Sequence, residues 1–439
     1  MLCVAGQSRA DLLEDWNNQA LAAIRTEVEL SPEASRTLAM LNTAIYNAVE
    51  GIAGDHYLFT SGSYAGPSGT APEGASMEAA AAAAAYTVLQ SLYPSMGGDF
   101  AALYSSQLSG IASGQAKLDG MNFGTLVAND ILNWRSGDGS GNASDPGLYT
   151  PVGTVGHWQP TAPATGALPG WGSVTTFATN GTAGYTGSLP GGSIASYLGS
   201  AQYAQDFNQV KELGSLTSGT RTADQFNAAF FWAAGEGTIT TAGMWNEVAQ
   251  TVAASAGLSL QDRARLYAAM NVAMADTAIA TWETKYDVDF WSPLLAIVNG
   301  EVDGNAATLG DENWAALLAE LSSPAFFSEH SALSSAAALV LAGFFGDNVA
   351  FNLNSDVDGD GVADLPTRSY DSFSEAAAEA GLSQIWGGVS YGSGNTAGAA
   401  SGTAVGQYVL DNYFAPVPEP SGMMLVLAGS LLLGLRRKH

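Results

Sequence analysis

Hydrophobic residues recur at intervals of three and four along most of the chain, the pattern that predicts amphipathic helices. One such stretch begins at Ser31-Pro32, a pair typical of a helix start. Its apolar positions are Leu38, Leu41, Ile45, Val49 and Ile52. The consecutive alanines over 79–85 add strong helix propensity. We expect further helices near 204–213, 224–234, 244–256, 260–286 and 333–344, and one that starts at Ser372 and ends at Gly381.

Residues 136–200 interrupt this pattern, because glycine, proline, serine and threonine are crowded there. Trp158, Trp171 and Phe177 lie within this stretch, and aromatic side chains need something to pack against. The stretch is therefore predicted to be a long ordered loop region rather than a linker. The fold class predicted is mainly α, with packed helical bundles and a Gly/Pro/Ser-rich middle. We expect one helical domain over 12–415, followed by a separate tail over 416–439.

Composition narrows the possible functions. Of the 439 residues, 47% are hydrophobic and 13% are charged, so the chain can bury a large core and is not disordered. The formal net charge of -27 repels nucleic acid and anionic lipid, and we expect neither as a partner. A single cysteine excludes an internal disulfide, and four histidines limit the available imidazole chemistry.

The C-terminus carries a short apolar segment between a Pro-Glu-Pro motif at 418–420 and a basic cluster at 436–438. The apolar segment, 422–435, is shorter than the roughly 20 residues that a membrane helix needs. The tail resembles the PEP-CTERM sorting signal of Gram-negative bacteria. That resemblance implies export, only transient membrane contact, cleavage by an exosortase as partner, and a final location at the cell surface, in the outer membrane or outside the cell. Export also requires a signal peptide, and Met1–Gly6 is too short to be one.

Three segments in the second half of the chain share the order and spacing of a known active site. They are 285–293 (KYDVDFWSP), 324–331 (PAFFSEHS) and 383–391 (SQIWGGVSY). They resemble the vanadium-dependent haloperoxidases and the related type 2 phosphatidic acid phosphatases, and the likeness extends from about residue 12 to 412. The resemblance implies a fold of packed helical bundles with the site between helices. It also implies vanadate as the family's cofactor, held by one lysine, two arginines, serine and glycine donors, with one histidine as ligand or nucleophile and a second as acid or base.

This chain keeps only part of that set. Lys285, Ser328 and His330 match the family's lysine, serine and acid–base histidine. The remaining positions are substituted: Ser292 and Gln384 stand where the arginines belong, Glu329 where the glycine belongs, and Ser390 where the ligand histidine belongs. Losing both guanidinium groups and gaining a carboxylate predicts weak binding of vanadate or phosphate, because an oxyanion needs cationic donors.

Two structural readings of the retained residues stay open beside the functional ones. Lys285 could simply pair with Glu329 or Asp287, and His330 could be a satisfied residue at a helix N-terminus. A rebuilt acid–base cluster of Lys285, Ser328, Glu329 and His330, or a surviving oxyanion site, are the alternatives. His157 matches no family position and is expected to be structural.

An acidic stretch, 356–364 (DVDGDGVAD), has the spacing of a calcium loop. The expected ligands are the carboxylates of Asp356, Asp358, Asp360 and Asp364 and the carbonyl of Val362. Position twelve is Thr367 rather than glutamate, so the pattern resembles the calcium loops of extracellular bacterial repeats more than a helix–loop–helix site. A structural calcium ion is therefore predicted, with a solvated acidic turn as the alternative.

Taken together, the sequence favours an exported haloperoxidase-like protein with a degraded vanadate or phosphate site and no usual peroxidase activity. An active haloperoxidase or acid phosphatase with an altered site is one alternative. A surface or matrix binding protein outside the cell is another.

Overall fold

The structure is a computed structural model that describes residues 11–160, 165–319 and 322–418. Within these described residues, the first half contributes nine helices: α1 Asp11–Thr26, α2 Ser31–Ala53, α3 Met77–Leu92, α4 Gly97–Ser109, α5 Gln115–Arg135, α6 Ile194–Leu198, α7 Ala201–Leu213, α8 Ala223–Phe231 and α9 Thr240–Ser255. The second half adds α10 Leu260–Val288, α11 Pro293–Val298, α12 Glu329–Phe345, α13 Phe373–Trp386 and α14 Gly392–Asn412.

Two short strands, β1 Phe351–Leu353 and β2 Arg368–Tyr370, pair antiparallel with Phe351 opposite Tyr370. Short 3-10 turns lie at Pro94–Met96, Ser140–Asn142, Pro146–Leu148, Trp171–Ser173 and Gly300–Val302. The mainly α fold predicted from the hydrophobic pattern is confirmed. Within the portion that the structure describes, no helix is both long enough and apolar enough to cross a membrane.

Helix α10 forms the centre of the molecule. Almost every side chain from Arg263 to Lys285 is buried, because α2 packs on one side of the helix and α12 and α14 on another. A helix buried on all faces shows little amphipathic periodicity, and its sequence is accordingly rich in alanine and methionine. Its last turn carries Lys285 into the interior.

Helices α12 and α14 make the most extensive helix–helix contact in the described chain. Glycines on α14 permit this approach: a Cβ atom on Gly398 would lie 2.5 Å from the carbonyl oxygen of Ser328, and one on Gly402 would lie 1.9 Å from that of Ala332. Such distances are far inside van der Waals contact, so only glycine fits. This packing fixes the first turn of α12, which begins the candidate site.

The described residues of the loop region over 136–200 are held in place by contacts with the buried side chains of Asp276 and Arg135. The carboxylate of Asp276, on α10, accepts hydrogen bonds from the backbone N–H groups of Ala178 and Thr179, both at 2.8 Å. Arg135 donates to the carbonyl oxygen of Thr175 at 2.6 Å, and its guanidinium group lies 3.9 Å from the ring of Phe177. Trp158, Trp171 and Phe177 are buried, as the prediction of an ordered loop requires.

The prediction that a helix ends at Gly381 is wrong, because α13 continues to Trp386. A Cβ atom on Gly381 would lie 2.3 Å from the side-chain oxygen of Asn395 on α14. The glycine therefore serves a close helix–helix contact instead of a helix terminus. Of the predicted sorting tail, residues 419–439 lie outside the described residues.

Candidate functional site

The three segments identified in the sequence meet at one cavity of about 290 Å³. Its lining includes all seven predicted site positions: Lys285, Ser292, Ser328, Glu329, His330, Gln384 and Ser390. They come from the last turn of α10, the start of α11, the start of α12, and the end of α13 with the turn that follows it. Each of the seven is buried. The helix termini converge here because α12 packs against α10, α13 and α14.

Lys285 is held by oxygen atoms outside the predicted set. Its Nζ donates to the carbonyl oxygen of Pro324 at 2.9 Å and lies 3.4 Å from Oγ of Ser323. Burial lowers the pKa of Lys285 to about 8, against the raising influence of the Glu329 carboxylate. Pairing of Lys285 with Glu329 or Asp287 is one of the readings that the sequence leaves open, and no direct ion pair forms, because neither carboxylate is within 4 Å of Nζ in the described chain.

Several of the polar groups at the site are already engaged in local structure. Oγ of Ser292 caps α11 by accepting from the N–H of Leu295 at 3.3 Å. Oγ of Ser328 caps α12 by accepting from the N–H of Ser331 at 3.4 Å. The side-chain amide of Gln384 donates to Oγ of Ser383 at 3.2 Å. Ser390 differs from these, because its Oγ is buried and has no hydrogen-bond partner among the residues that the structure describes.

His330 makes a contact that fixes its tautomer. Its Nε2 lies 3.2 Å from the carbonyl oxygen of Ala233, and a carbonyl can only accept, so Nε2 carries the proton. Burial lowers the pKa of His330, which favours the neutral ring. The imidazole therefore links α12 to the segment after α8, as the structural reading of this residue expects.

Glu329 introduces a carboxylate at the first position of α12. It is 5% exposed, and its Oε1 has no hydrogen-bond partner. The positive end of the helix dipole and the ammonium group of Lys285 are the nearest favourable influences on its charge.

Two further acidic residues that the sequence did not single out, Glu29 and Glu236, also line the cavity. Oε1 of Glu29 accepts from the hydroxyl group of Tyr93 at 2.7 Å, and burial raises the pKa of Glu29 to about 7. Glu236 is exposed at the cavity mouth. Both belong to loops far from the three segments in sequence, and neither lies in a motif that could have indicated its position.

The acidic loop brings three of its four predicted carboxylates together. Oxygen atoms of Asp356, Asp358 and Asp364 lie within 4.8 Å of one another, whereas Asp360 is outside this group. Oδ1 of Asp360 instead accepts from the N–H of Val362 at 2.7 Å. The carboxylates of Asp356, Asp358 and Asp364 likewise accept backbone N–H groups of the loop, so this contact does not set Asp360 apart, and its place as a fourth ligand stays a prediction.

The other contacts of this loop tie it to its surroundings. Arg25 forms an ion pair of 3.0 Å with Asp356. The loop packs on the cavity wall, where Val357 is a lining residue and a Cβ atom on Gly359 would lie 2.1 Å from the carbonyl oxygen of Gly237. The loop therefore borders the site and packs closely on the segment after α8.

His157 does not line the cavity. Its Nδ1 lies 2.7 Å from Oδ2 of Asp289, the residue that follows α10 and adopts a left-handed conformation. The hydroxyl group of Tyr149 donates to the other oxygen of the same carboxylate at 2.6 Å. These contacts fasten the loop region to the end of α10, which agrees with the structural role expected for His157.

Comparison with known proteins identifies the fold. Residues 265–417 match the model of the VCPO second helical-bundle domain. The structure is similar to that of the first bacterial vanadium-dependent iodoperoxidase, with a TM-score of 0.76 and 24% identity, over 93% of this chain and 97% of that chain.

Two structures of bacterial vanadium-dependent chloroperoxidase are also similar, both with a TM-score of 0.67 and 15% identity. The match to the apo form covers 88% of this chain and 94% of the apo chain. The match to the holo form covers 90% of this chain and 94% of the holo chain. No curated protein matches the sequence. The fold is that of the vanadium-dependent haloperoxidases, as the resemblance in sequence predicted.

Proposed function

We propose that the chain is an exported member of the vanadium haloperoxidase family whose anion site no longer holds vanadate and which lacks the family's peroxidase activity. The charge around the cavity supports this proposal. Among the described lining residues, Lys285 is the only lysine or arginine, and three residues with carboxyl groups line the same cavity: Glu29, Glu236 and Glu329. A buried oxyanion needs several cationic donors to replace its hydration, and this lining offers one.

The uncharged polar side chains of the lining do not replace the missing cationic groups. Ser292 and Ser328 are helix caps, and the amide of Gln384 is bonded to its neighbour Ser383. Ser390 stands where the resemblance places a histidine ligand, and a serine hydroxyl is a poor ligand for vanadium. The residues present therefore do not fit vanadate.

The acid–base residue is also restricted. Nε2 of His330 is engaged by the carbonyl oxygen of Ala233, and reversing the ring's proton would break that contact. Lys285, the retained cation, uses its donors on Ser323 and Pro324. Both residues are thus explained by structural contacts without any catalytic step.

Metal content and turnover test the proposal together. The purified protein is incubated with orthovanadate and desalted, its vanadium content is measured, and oxidation of iodide and bromide by hydrogen peroxide is followed. We expect no stoichiometric vanadium and no turnover above the protein-free rate. One vanadium per chain with sustained halide oxidation would overturn the proposal.

A restored variant makes a negative result informative. It combines Ser292→Arg, Glu329→Gly, Gln384→Arg and Ser390→His, which rebuild the family pattern. This variant is expected to gain vanadate binding because the cavity then offers three cations and loses one carboxylate. Glu312→Gly, at an exposed site outside the cavity, serves as the control and should gain nothing.

We also infer that the acidic loop binds calcium in a structural role. Convergence of the Asp356, Asp358 and Asp364 oxygens supports this, since calcium takes carboxylate oxygens in flexible geometry. The Arg25–Asp356 ion pair offsets part of the negative charge and would weaken such a site.

Export is inferred from the tail sequence. The order of Pro-Glu-Pro motif, short apolar segment and basic cluster supports sorting by an exosortase, with only transient membrane contact. Expression in a Gram-negative host that has an exosortase, followed by mass spectrometry of the intact protein, tests it. Loss of the residues after the motif is expected, and a retained tail in the exported protein would count against the inference.

A further inference from the structure

Glu329 is a buried carboxylate without a partner. Oε1 is fully enclosed, and no hydrogen bond reaches either of its oxygens from the part of the chain that the structure describes. Lys285 is close enough to influence it electrostatically, but its hydrogen bonds go to Ser323 and Pro324. A buried carboxylate left in this state is unfavourable unless another group donates to it. The cavity beside it has room for such a group.

Three other residues around the cavity carry buried polar atoms without partners. These atoms are Oε2 of Glu29, Oγ1 of Thr240 and Oγ of Ser390. Native proteins leave few buried polar groups unpaired, so four at one cavity require an explanation. Two of the four are carboxylate oxygens, which can only accept when ionised, and two are hydroxyl groups, which can do either. The unmet demand is therefore mainly for hydrogen-bond donors.

The charge and shape of the lining restrict the ligand further. The carboxylates of Glu236 and Glu329, with the ionised fraction of Glu29, outnumber the single ammonium group of Lys285 among the described lining residues, and so the field in the cavity favours cations over anions. The rings of Phe230 and Trp282 form part of an apolar wall that can accept a short carbon chain. A ligand that fits both features is small, cationic and rich in N–H or O–H groups.

We propose that this cavity binds a small primary amine whose ammonium group donates to Glu329. The inference rests on the proposed function, because it takes the loss of the oxyanion site as its starting point. Relative to the family pattern, position 329 has changed from glycine to glutamate. This one substitution disfavours an anion and also provides the carboxylate that binds a cation.

Three probes of nearly equal size test the proposal by isothermal titration of the full chain. They are 2-aminoethanol, which is a cation, ethylene glycol, which is neutral, and glycolate, which is an anion. We expect 2-aminoethanol to bind at least tenfold more tightly than either of the others. Glu329→Gln should weaken its binding at least tenfold. Glu329→Asp keeps the charge and should retain most of it, and Glu312→Gln, the control outside the cavity, should not change it.

Orthovanadate titrated into the same samples separates this inference from the proposed function. Tight binding of orthovanadate to the unaltered protein would overturn both, and tight binding of glycolate would overturn the amine site. If orthovanadate does not bind, two results would overturn the amine site and leave the proposed function standing. One is equal affinity for 2-aminoethanol and ethylene glycol, and the other is no binding of either. Unchanged 2-aminoethanol affinity in a folded Glu329→Gln variant, with its melting temperature as the check, would also overturn it.

Discussion

The close contact between α12 and α14 gives a prediction that can be worked out from distances. Replacing Gly402 with alanine would place a Cβ atom 1.9 Å from the carbonyl oxygen of Ala332 and 3.0 Å from the backbone nitrogen of Ala336. Both neighbours are backbone atoms of α12, so no change of side-chain rotamer can relieve the overlap. The two helices must separate instead.

The magnitude follows from two opposing effects. Overpacking costs about 1–3 kcal/mol in well-packed interiors, and an overlap with backbone this severe belongs at the upper end. Alanine is favoured over glycine within a helix by about 1 kcal/mol. We therefore expect Gly402→Ala to lower the free energy of unfolding by about 2 kcal/mol.

Gly394, on the same helix, provides the matched control. A Cβ atom there would meet its nearest neighbours at 3.6 Å, which is ordinary van der Waals contact. Gly394→Ala should therefore be neutral or stabilising by up to about 1 kcal/mol. For a chain of this size the two variants should differ by roughly 2–3 °C in melting temperature.

Thermal unfolding followed by circular dichroism, with urea titration as a second measurement, tests the difference. Equal melting temperatures for the two variants would show that α14 can move away from α12 at little cost. That result would refute the argument that the glycines are required by close approach of the two backbones.

Three further predictions concern charged residues. The folded pKa of Glu29, about 7, lies above its ordinary 4.5, so its protonation stabilises the fold at low pH and this contribution is lost as pH rises from 4.5 to 7. The urea midpoint of the unaltered protein should therefore fall between pH 4.5 and 7.5, and Glu29→Gln should make this fall smaller. Part of the fall should remain, because burial also raises the pKa of Glu247 to about 7. An unchanged pH profile in the variant would contradict the role given to Glu29. Calcium added after EDTA treatment should raise the melting temperature of the unaltered protein and of the Asp360→Asn variant, but not that of the Asp358→Asn variant. If none of the three responds, the proposal that the loop binds calcium is refuted. Asp276→Asn should lower the free energy of unfolding, measured by urea titration, by about 2 kcal/mol or more. The reason is that the amide cannot accept hydrogen bonds from all the backbone N–H groups that the carboxylate binds. A loss below about 0.5 kcal/mol would refute the role of Asp276 in holding the loop region.

The sequence predicted those parts of the fold that depend on local periodicity. The apolar stripe after Ser31 became α2, and the alanine run became the middle of α3. Gly381 was misread because glycine marks both helix ends and close helix contacts, and only the position of Asn395 distinguishes them. Contacts between residues that are far apart in the sequence and carry no local pattern cannot be predicted in this way.

The candidate site shows the same division. Its seven positions were identified through the family resemblance, and the structure brings all of them to one cavity. The partners of Lys285 and His330 were not foreseen, because they are the backbone carbonyl groups of Pro324 and Ala233. Every residue carries such a carbonyl, so the sequence holds no mark of which one will be used. Glu29 was missed for a related reason, since its place beside the cavity depends on how α1 and α2 pack.

Helix α10 has a consequence for how the molecule could be divided. At about 1.5 Å per residue its 29 residues extend roughly 43 Å, and it packs against α2 from the first half of the chain as well as α12 and α14 from the second. A fragment beginning at residue 265 would keep most of this helix but lose α2, and would expose to water the buried side chains of α10 that α2 covers. Because α10 packs against helices from both halves of the chain, we expect this fragment to aggregate on its own and its solubility to return when the preceding part of the chain is supplied in trans.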